Sequence, residues 1–336
     1  MKIATLTLLR TPRSSATFAV ACRIRLVLVV PTARWCFASL PDSPMRAMHN
    51  GVWLAPDATL NQSPSLDRVS HYGDGLFETM LCERGNIPLQ RYHLQRLRHG
   101  LAALRFDADF AVLEAELDTF LQAVAQDNDF QRIKWLLSRH ASKPGYSTEG
   151  AVLNSLLVAS AIAPPDVEPK ALRIMECETR LAIQPRLAGL KHCNRLEQVL
   201  ARMELPAAEF DEGLMLDLEG NVVEAIQGNI FLLQDGYLVT PPVNRAGVAG
   251  VMREFLLREV LPGIGLDCRI ENVSLAGLQA CDAMFVCNAV RGPAAVASVT
   301  TRRGQRIKFP GNTAIKAIQE KVRARMCIAS DAGGAC

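Results

Sequence analysis

The stretch "LAGLKHCNRLEQVLAR", residues 187–202, sets a lysine between an apolar glycine turn and an amphipathic helix. Only eight of the 37 basic residues are lysines, so arginine is the default cation of this chain and Lys191 invites a reason. A lysine amine can lose its proton when burial lowers its pKa, and it can then form a Schiff base, which a guanidinium cannot do. A solvated lysine at a helix start is the plainer reading, and Lys191 must be judged with its neighbours. Just after it, Asn194 reads as the N-cap of a helix running to about Leu205. Leu196, Val199, Leu200 and Met203 form that helix's apolar stripe, which reads as core-facing.

Outward from this block the pattern is mixed α/β. Upstream, "NGVWLAP" and "GLFETMLCERGNIPL" read as strands, the second a hairpin turning at Arg84-Gly85-Asn86. Leu94, Leu97, Leu101 and Leu104 recur at helical spacing, and a second helix is expected over 111–125. "RIKWLLSR" and "NSLLVASAI" return to strands. Pro164, Pro165 and Pro169 make 162–170 a stiff linker, because proline blocks both helix and ladder. Downstream come a strand "LRIMECET", the opening block, and a meander with turns at Glu219-Gly220-Asn221 and Asp235-Gly236. "AGVAGVMREFLLREVL" then reads as a glycine loop opening a helix, and "DAMFVCNAV" as a late strand. The division expected is a smaller α/β domain over 48–161, the linker, a larger domain over 171–326 and a tail over 327–336.

The composition, 49% hydrophobic and 21% charged over 336 residues, is that of a globular protein with room for two domains. A net charge of +3, with no basic cluster interleaved with aromatics, points away from nucleic acid. The ten cysteines stand singly, as at Cys82, Cys177, Cys193 and Cys287, without a CxxC pair or Cys/His ligand spacing. Neither a metal site nor a disulfide framework is therefore expected, and free thiols suggest a reducing, cytoplasmic setting. Up to Pro41 there are six basic residues and no acid. The run "RIRLVLVV" is too short and too charged to span a bilayer, so no membrane role is read from it. The Arg-rich, acid-free composition fits a transit peptide but no cleavage pattern follows, so residues 1–47 read rather as an extension without structural duty, from a reading frame whose working start is near Met45 or Met48.

Three further features bear on chemistry. Glu224, in "NVVEAIQGN", is a carboxylate in an apolar strand, with alternation placing Val222, Glu224 and Ile226 on one face. It either faces solvent or is buried against a cation, because an unpaired buried carboxylate is too costly. "AGVAG", residues 246–250, opens a helix whose N–H groups favour an anion. Arg96 follows Tyr92 by one helical turn and either completes an anion site or solvates a helix face. A Schiff-base lysine, a carboxylate for a ring nitrogen and a phosphate cradle are the three needs of pyridoxal phosphate.

The motifs "YGDGLFET", "HLQRL", "LAGLKHCNRLEQVLAR", "VVEAIQGNIF", "AGVAGVMR" and "FVCNA" occur in the order found in fold-type IV pyridoxal-phosphate enzymes. That group holds branched-chain and D-amino acid aminotransferases and 4-amino-4-deoxychorismate lyases. The resemblance runs from about Met48 to Arg325, and the Lys191 block resembles the lyases specifically. It implies two domains with the active site in the cleft between them, a homodimer, and pyridoxal phosphate as cofactor in the larger domain. It implies that Lys191 carries the cofactor and acts as the catalytic base, and that Glu224 pairs with the pyridine nitrogen. Arg96 and the amides of Val248 and Ala249 would hold the phosphate, with Asn288 nearby. Arg139 would be the main contact for the carboxylates of a small-molecule substrate and Lys134 a second one. Their odd separation sets them on opposite faces of a regular strand, so both reach one ligand only if the strand end twists. Where lyases often carry a second arginine before "GY", this chain reads Lys143-Pro144-Gly145-Tyr146. The implied reaction converts 4-amino-4-deoxychorismate to 4-aminobenzoate and pyruvate, in folate synthesis. The alternative is an aminotransferase for D- or branched-chain amino acids, against which Phe77 counts, since D-amino acid aminotransferases tend to carry tyrosine there.

Overall fold

A computed structural model describes residues 45–54, 67–140, 143 and 145–326. The expectations for residues 1–44 and for the 327–336 tail lie outside the described residues. Strand β1 (Arg46–His49) corrects the boundary expected at residue 48, because Arg46 and Ala47 already pair with Ala159 and Val158. The Arg46 guanidinium also lies over the Trp53 ring at 4.3 Å and pairs with Asp127 at 3.1 Å.

The first sheet adds β2 (Val52–Trp53), β3 (Gly75–Glu83), β4 (Phe130–His140) and β5 (Val152–Ala161), in the order β2-β1-β5-β4-β3. All its neighbours are antiparallel. A short α1 (Arg68–Tyr72) precedes β3; α2 (Gln90–Ala103) and α3 (Phe110–Val124) lie between β3 and β4. At the end of β3 the chain reverses through Arg84 and Gly85, both at positive φ (48° and 82°), as a two-residue hairpin turn requires. The expected return strand shrinks to a single bridge at Asn86, since Pro88 has no N–H for a ladder. Asp109 accepts from the Ala111 N–H at 3.0 Å and so starts α3 at its first turn.

Alternation along β4 decides which side chains meet which layer. Ile133, Trp135 and Leu137 are fully buried and join Leu97, Leu101, Leu117 and Phe120 in the core under α2 and α3. Arg132, Lys134 and Leu136 therefore lie on the opposite face.

The proline-rich stretch after β5 leads to the second sheet: β6 (Leu172–Glu176), β7 (Glu212–Leu216), β8 (Asn221–Ala225), β9 (Gly228–Gln234), β10 (Tyr237–Thr240), β11 (Cys268–Ile270), β12 (Val273–Ser274), β13 (Ala283–Asn288), β14 (Gly292–Thr300) and β15 (Arg306–Lys308). The path β9-β13-β14-β6-β7-β8 closes on itself through the β8–β9 pairing, a ring of six strands. Each of the six contributes to one buried cluster, with Ile230, Met284, Val296, Ile174, Leu214 and Val222 among its members. The turns expected in the meander are present, Gly220 at φ 84° and Asp235-Gly236 at 49° and 82°. Helix α4 (Leu196–Met203) lies between β6 and β7; α5 (Val251–Phe255), continued by a π-helical turn at Leu256–Val260, and α6 (Thr313–Met326) complete the fold. Phe231, Phe285, Met252 and Phe255 share a core with Leu81 and Phe130 of the first sheet and Tyr92 of α2, so apolar contact joins the two sheets. None of the helices among the described residues is long and apolar enough to cross a membrane.

Candidate active site

Lys191 sits in a loop stitched to β3 on one side and to the loop before α5 on the other. Its carbonyl accepts from the Phe77 N–H at 3.0 Å, and Cys193 N–H donates to the Gly75 carbonyl at 2.9 Å, so the loop adds to the start of β3. On its other side Gly189 N–H donates to Gly247 O (2.9 Å) and Ala249 N–H donates to Gly189 O (3.0 Å). The half-buried side chain enters a cavity of about 570 Å³, its amine 4.5 Å from the Phe77 ring centre. Burial first, and then the charges of Arg96 and Arg195, bring that amine down to about 8 against the opposing pull of Glu78 and Glu224.

The helix that follows differs from expectation twice. Asn194 does not cap it; its amide donates to the Gly73 carbonyl at 3.2 Å, and α4 begins at Leu196 without a side-chain cap. Gly73, at φ 63°, leaves room for this, since a Cβ there would lie 2.4 Å from Asn194 Oδ1. The stripe read as core is on the surface: Leu196, Val199, Leu200 and Met203 are 75%, 51%, 53% and 77% exposed. Ala201 is the residue that α4 buries instead.

Glu224 is buried in β8, where its carboxylate accepts from the Val248 N–H at 2.9 Å and from the Gln198 amide. Burial pushes its pKa up, against the Val248 hydrogen bond and the charges of Arg195 and Lys191. The expected face shared by Val222, Glu224 and Ile226 is broken. Leu216 pairs with Val222 while the adjacent Met215 pairs with Glu224, so β8 carries an extra residue. The bulge turns Val222 into the ring's interior and aims both Val223 and Glu224 at Gly247.

Arg96 enters from α2. Its Nε donates to Glu78 Oε1 at 2.8 Å, its Nη2 to Glu78 Oε2, and its Nη1 to the Ala249 carbonyl at 3.1 Å. The other donor to this carboxylate is His93, whose Nδ1 lies 2.6 Å from Glu78 Oε2. The amides expected to bind an anion are engaged otherwise, Val248 with Glu224 and Ala249 with Gly189. They hold the glutamate and the lysine loop in register, while Gly250 and Val251 at the start of α5 line the cavity. Asn288 also lines it, but its side chain serves the chain itself, donating to Gln227 O and accepting from Val290 and Arg291 N–H.

Arg139 is not at the cavity. β4 stays regular through His140, so this odd-numbered side chain turns to the helix side of the sheet. There it is buried, donates to Asp74 Oδ1 at 2.6 Å and to the Leu104 carbonyl, and lies over Phe106. Lys134 faces the other way, exposed, with its amine 5.5 Å from the centre of the Phe77 ring that Lys191 also approaches. Arg132, two residues earlier on that face, lines the cavity together with Arg195, Arg202 and Arg291. Sequence reading missed these four arginines. Alternation back from Lys134 carried the signal for Arg132, since both share one face of β4.

Residues 75–299 match the model of the family described as amino-transferase class IV. The aminodeoxychorismate lyase of Vibrio harveyi is 32% identical over 250 residues, spanning 74% of this chain and 90% of that protein. The solved 4-amino-4-deoxychorismate lyase of Pseudomonas aeruginosa superposes with a TM-score of 0.72 at 37% identity, over 83% of this chain and 98% of its own. The branched-chain aminotransferase of Escherichia coli reaches a TM-score of 0.71 over 86% and 97% of the two chains, at 20% identity, a likeness of fold alone. The geometry at Lys191 and a match over two thirds of the sequence lead to one conclusion: the chain belongs to the class IV aminotransferase family.

Proposed function

We propose that this protein is a pyridoxal-phosphate-dependent lyase that converts 4-amino-4-deoxychorismate to 4-aminobenzoate and pyruvate, a step of folate synthesis. One observation carries the reading: a lysine amine brought down to about 8 opens into the cavity that also takes Glu224 and Arg96. The relationship to the Vibrio harveyi and Pseudomonas aeruginosa lyases supports the lyase over the aminotransferase alternative.

The residues fit the cofactor. Glu224 is buried with no cation among the described residues in hydrogen-bond contact, so a protonated ring nitrogen would offset the burial that raises its pKa. Arg96 has three of its five N–H groups engaged, which leaves two for a phosphate. Gly247 keeps the approach open, because a Cβ there would lie 3.2 Å from Glu224 Oε2. Lys191 would hold the aldehyde carbon, Glu224 the ring nitrogen and Arg96 the phosphate. Bound there, the cofactor supplies an electron sink for the substrate carbon that carries nitrogen.

The chain's own groups then handle protons and charge. Lys191 Nζ removes the proton from that carbon and returns one to the methylene of the departing enolpyruvyl group, yielding pyruvate. Aromatisation of the ring supplies the driving force. Arg132 and Lys134 bind the substrate's carboxylates, a role moved here from Arg139 because that side chain lies on the far face of β4. The exposed stripe of α4 supports a homodimer that covers it, since Val199 and Met203 also border the cavity. Unpaired Cys82, Cys177 and Cys287 support a cytoplasmic setting. Purified protein given aminodeoxychorismate and no 2-oxo acid should form pyruvate and 4-aminobenzoate in equal amounts, and Lys191→Arg should form neither. Turnover that requires a 2-oxo acid and yields an amino acid would identify an aminotransferase instead.

A further inference from the structure

Arg195 plays no part in the proton chemistry above, yet its contacts tie it to Lys191. Its Nη2 donates to the Leu190 carbonyl at 2.7 Å and its Nε to the His192 carbonyl at 2.9 Å. One planar guanidinium thus holds the carbonyls on both sides of the lysine. A rigid fork fixes direction as well as distance, which a flexible ammonium does not. Both partners are neutral carbonyls, so among the described residues no carboxylate touches its charge, and Glu224 and Glu197 act on it only from a distance.

We propose that Arg195 is the positioning residue of this site: it fixes the backbone from which Lys191 enters the cavity and keeps a positive charge beside the amine. The groups that face Lys191 from other elements are Glu78 on β3, Arg96 and His93 on α2 and Glu224 on β8, and Lys134 on β4 lies near the same Phe77 ring. A neighbouring cation disfavours an ammonium, so Arg195 and Arg96 act with burial to lower the amine, while the two carboxylates act against them. Removing the Arg195 charge moves the amine back toward the ordinary lysine value.

The test uses the full chain after cofactor release by dialysis, with two variants. Arg195→Gln removes the charge, and Arg195→Lys keeps the charge but loses the fork. Acetic anhydride labelling of the Lys191 peptide against pH reads the amine's midpoint without any cofactor. The rate of pyridoxal phosphate recapture on the alkaline plateau, where the amine is neutral in every form, reads its placement. The Gln midpoint should rise and the Lys midpoint stay with the wild type, and the plateau rate should fall about tenfold or more in both. An unchanged plateau in the Lys variant, or a Gln midpoint that stays with the wild type, overturns the assignment. If Arg195→Gln does not fold by circular dichroism, the plateau of Arg195→Lys decides alone. The recapture readout rests on Lys191 as the cofactor lysine. Wild-type protein that takes up no pyridoxal phosphate there would sink that reading and leave the labelling midpoints to judge Arg195.

Discussion

Two arginines of β4, Arg132 and Arg139, have the same chemistry and opposite surroundings. Arg139 is sealed between Asp74, the Leu104 carbonyl and the Phe106 ring, whereas Arg132 borders the cavity. Arg139→Ala takes one of two arginines from the Asp74 carboxylate, which keeps Arg68 at 2.7 Å, and should cost about 2 kcal/mol of stability, the loss of one charge-assisted hydrogen bond. Its turnover per folded molecule should stay near the wild type. Arg132→Ala should leave the melting temperature in place and lower kcat/KM by about tenfold to a hundredfold, the loss of a charge-assisted hydrogen bond. Melting curves beside steady-state kinetics decide it, and the reverse pattern would return the substrate contact to Arg139. The meeting of Lys191, Glu224 and Arg96 at one cavity was legible because each lies in a contiguous motif. The facing of Arg139 was not, because it depends on which side of the sheet α2 and α3 cover. Nor was the engagement of the Val248 and Ala249 amides, which depends on where Glu224 and Gly189 come to rest.

Among the elements, strands and turns were the most readable part, since alternation and positive-φ dipeptides are local signals. Arg84-Gly85 and Asp235-Gly236 reverse the chain where their residue types require. Helix α4 shows the limit. Its 3.6-residue period was correct and the layer it faces was not, because periodicity locates an apolar stripe without saying what covers it. Leu196 and Met203, 75% and 77% exposed, lie on a helix that already buries Ala201 inward. The homodimer proposed above would cover that stripe with a second copy of the chain. Leu196→Glu combined with Leu200→Glu should then leave the folded chain a monomer in sedimentation equilibrium, because two charges on each facing stripe cannot both be desolvated. A wild-type chain that already sediments as a monomer would end the homodimer reading.

At the scale of the whole molecule, two buried carboxylates, Glu224 in the cavity wall and Glu78 paired with Arg96, bear on stability with opposite sign. For Glu78, burial alone would raise the pKa, but the charges and hydrogen bonds of Arg96 and His93 outweigh it and hold it at about 2. Burial pushes the His93 pKa down against the pull of Glu78, so Arg96, always charged, is the lasting counter-charge. A carboxyl depressed in the folded state stabilises above its unfolded pKa, and that contribution is lost as pH falls from about 4.5 toward 2. Because Arg96 also donates to Ala249, the Glu78 pair joins the first sheet to the loop before α5. Glu224 has the opposite sign: burial raises its pKa, so its ionisation costs the cofactor-free fold stability as pH climbs above the ordinary carboxylate range. Glu224→Gln should therefore raise the melting temperature of the cofactor-free protein at pH 8, leave it nearly unchanged at pH 4, and remove most turnover. Glu78→Gln should lower the melting temperature at pH 8, with or without cofactor. Calorimetry of both variants at the two pH values checks the signs. A Glu224→Gln protein that melts below the wild type at pH 8 would mean the carboxylate is already well paired within the chain and is not held for a cationic ring.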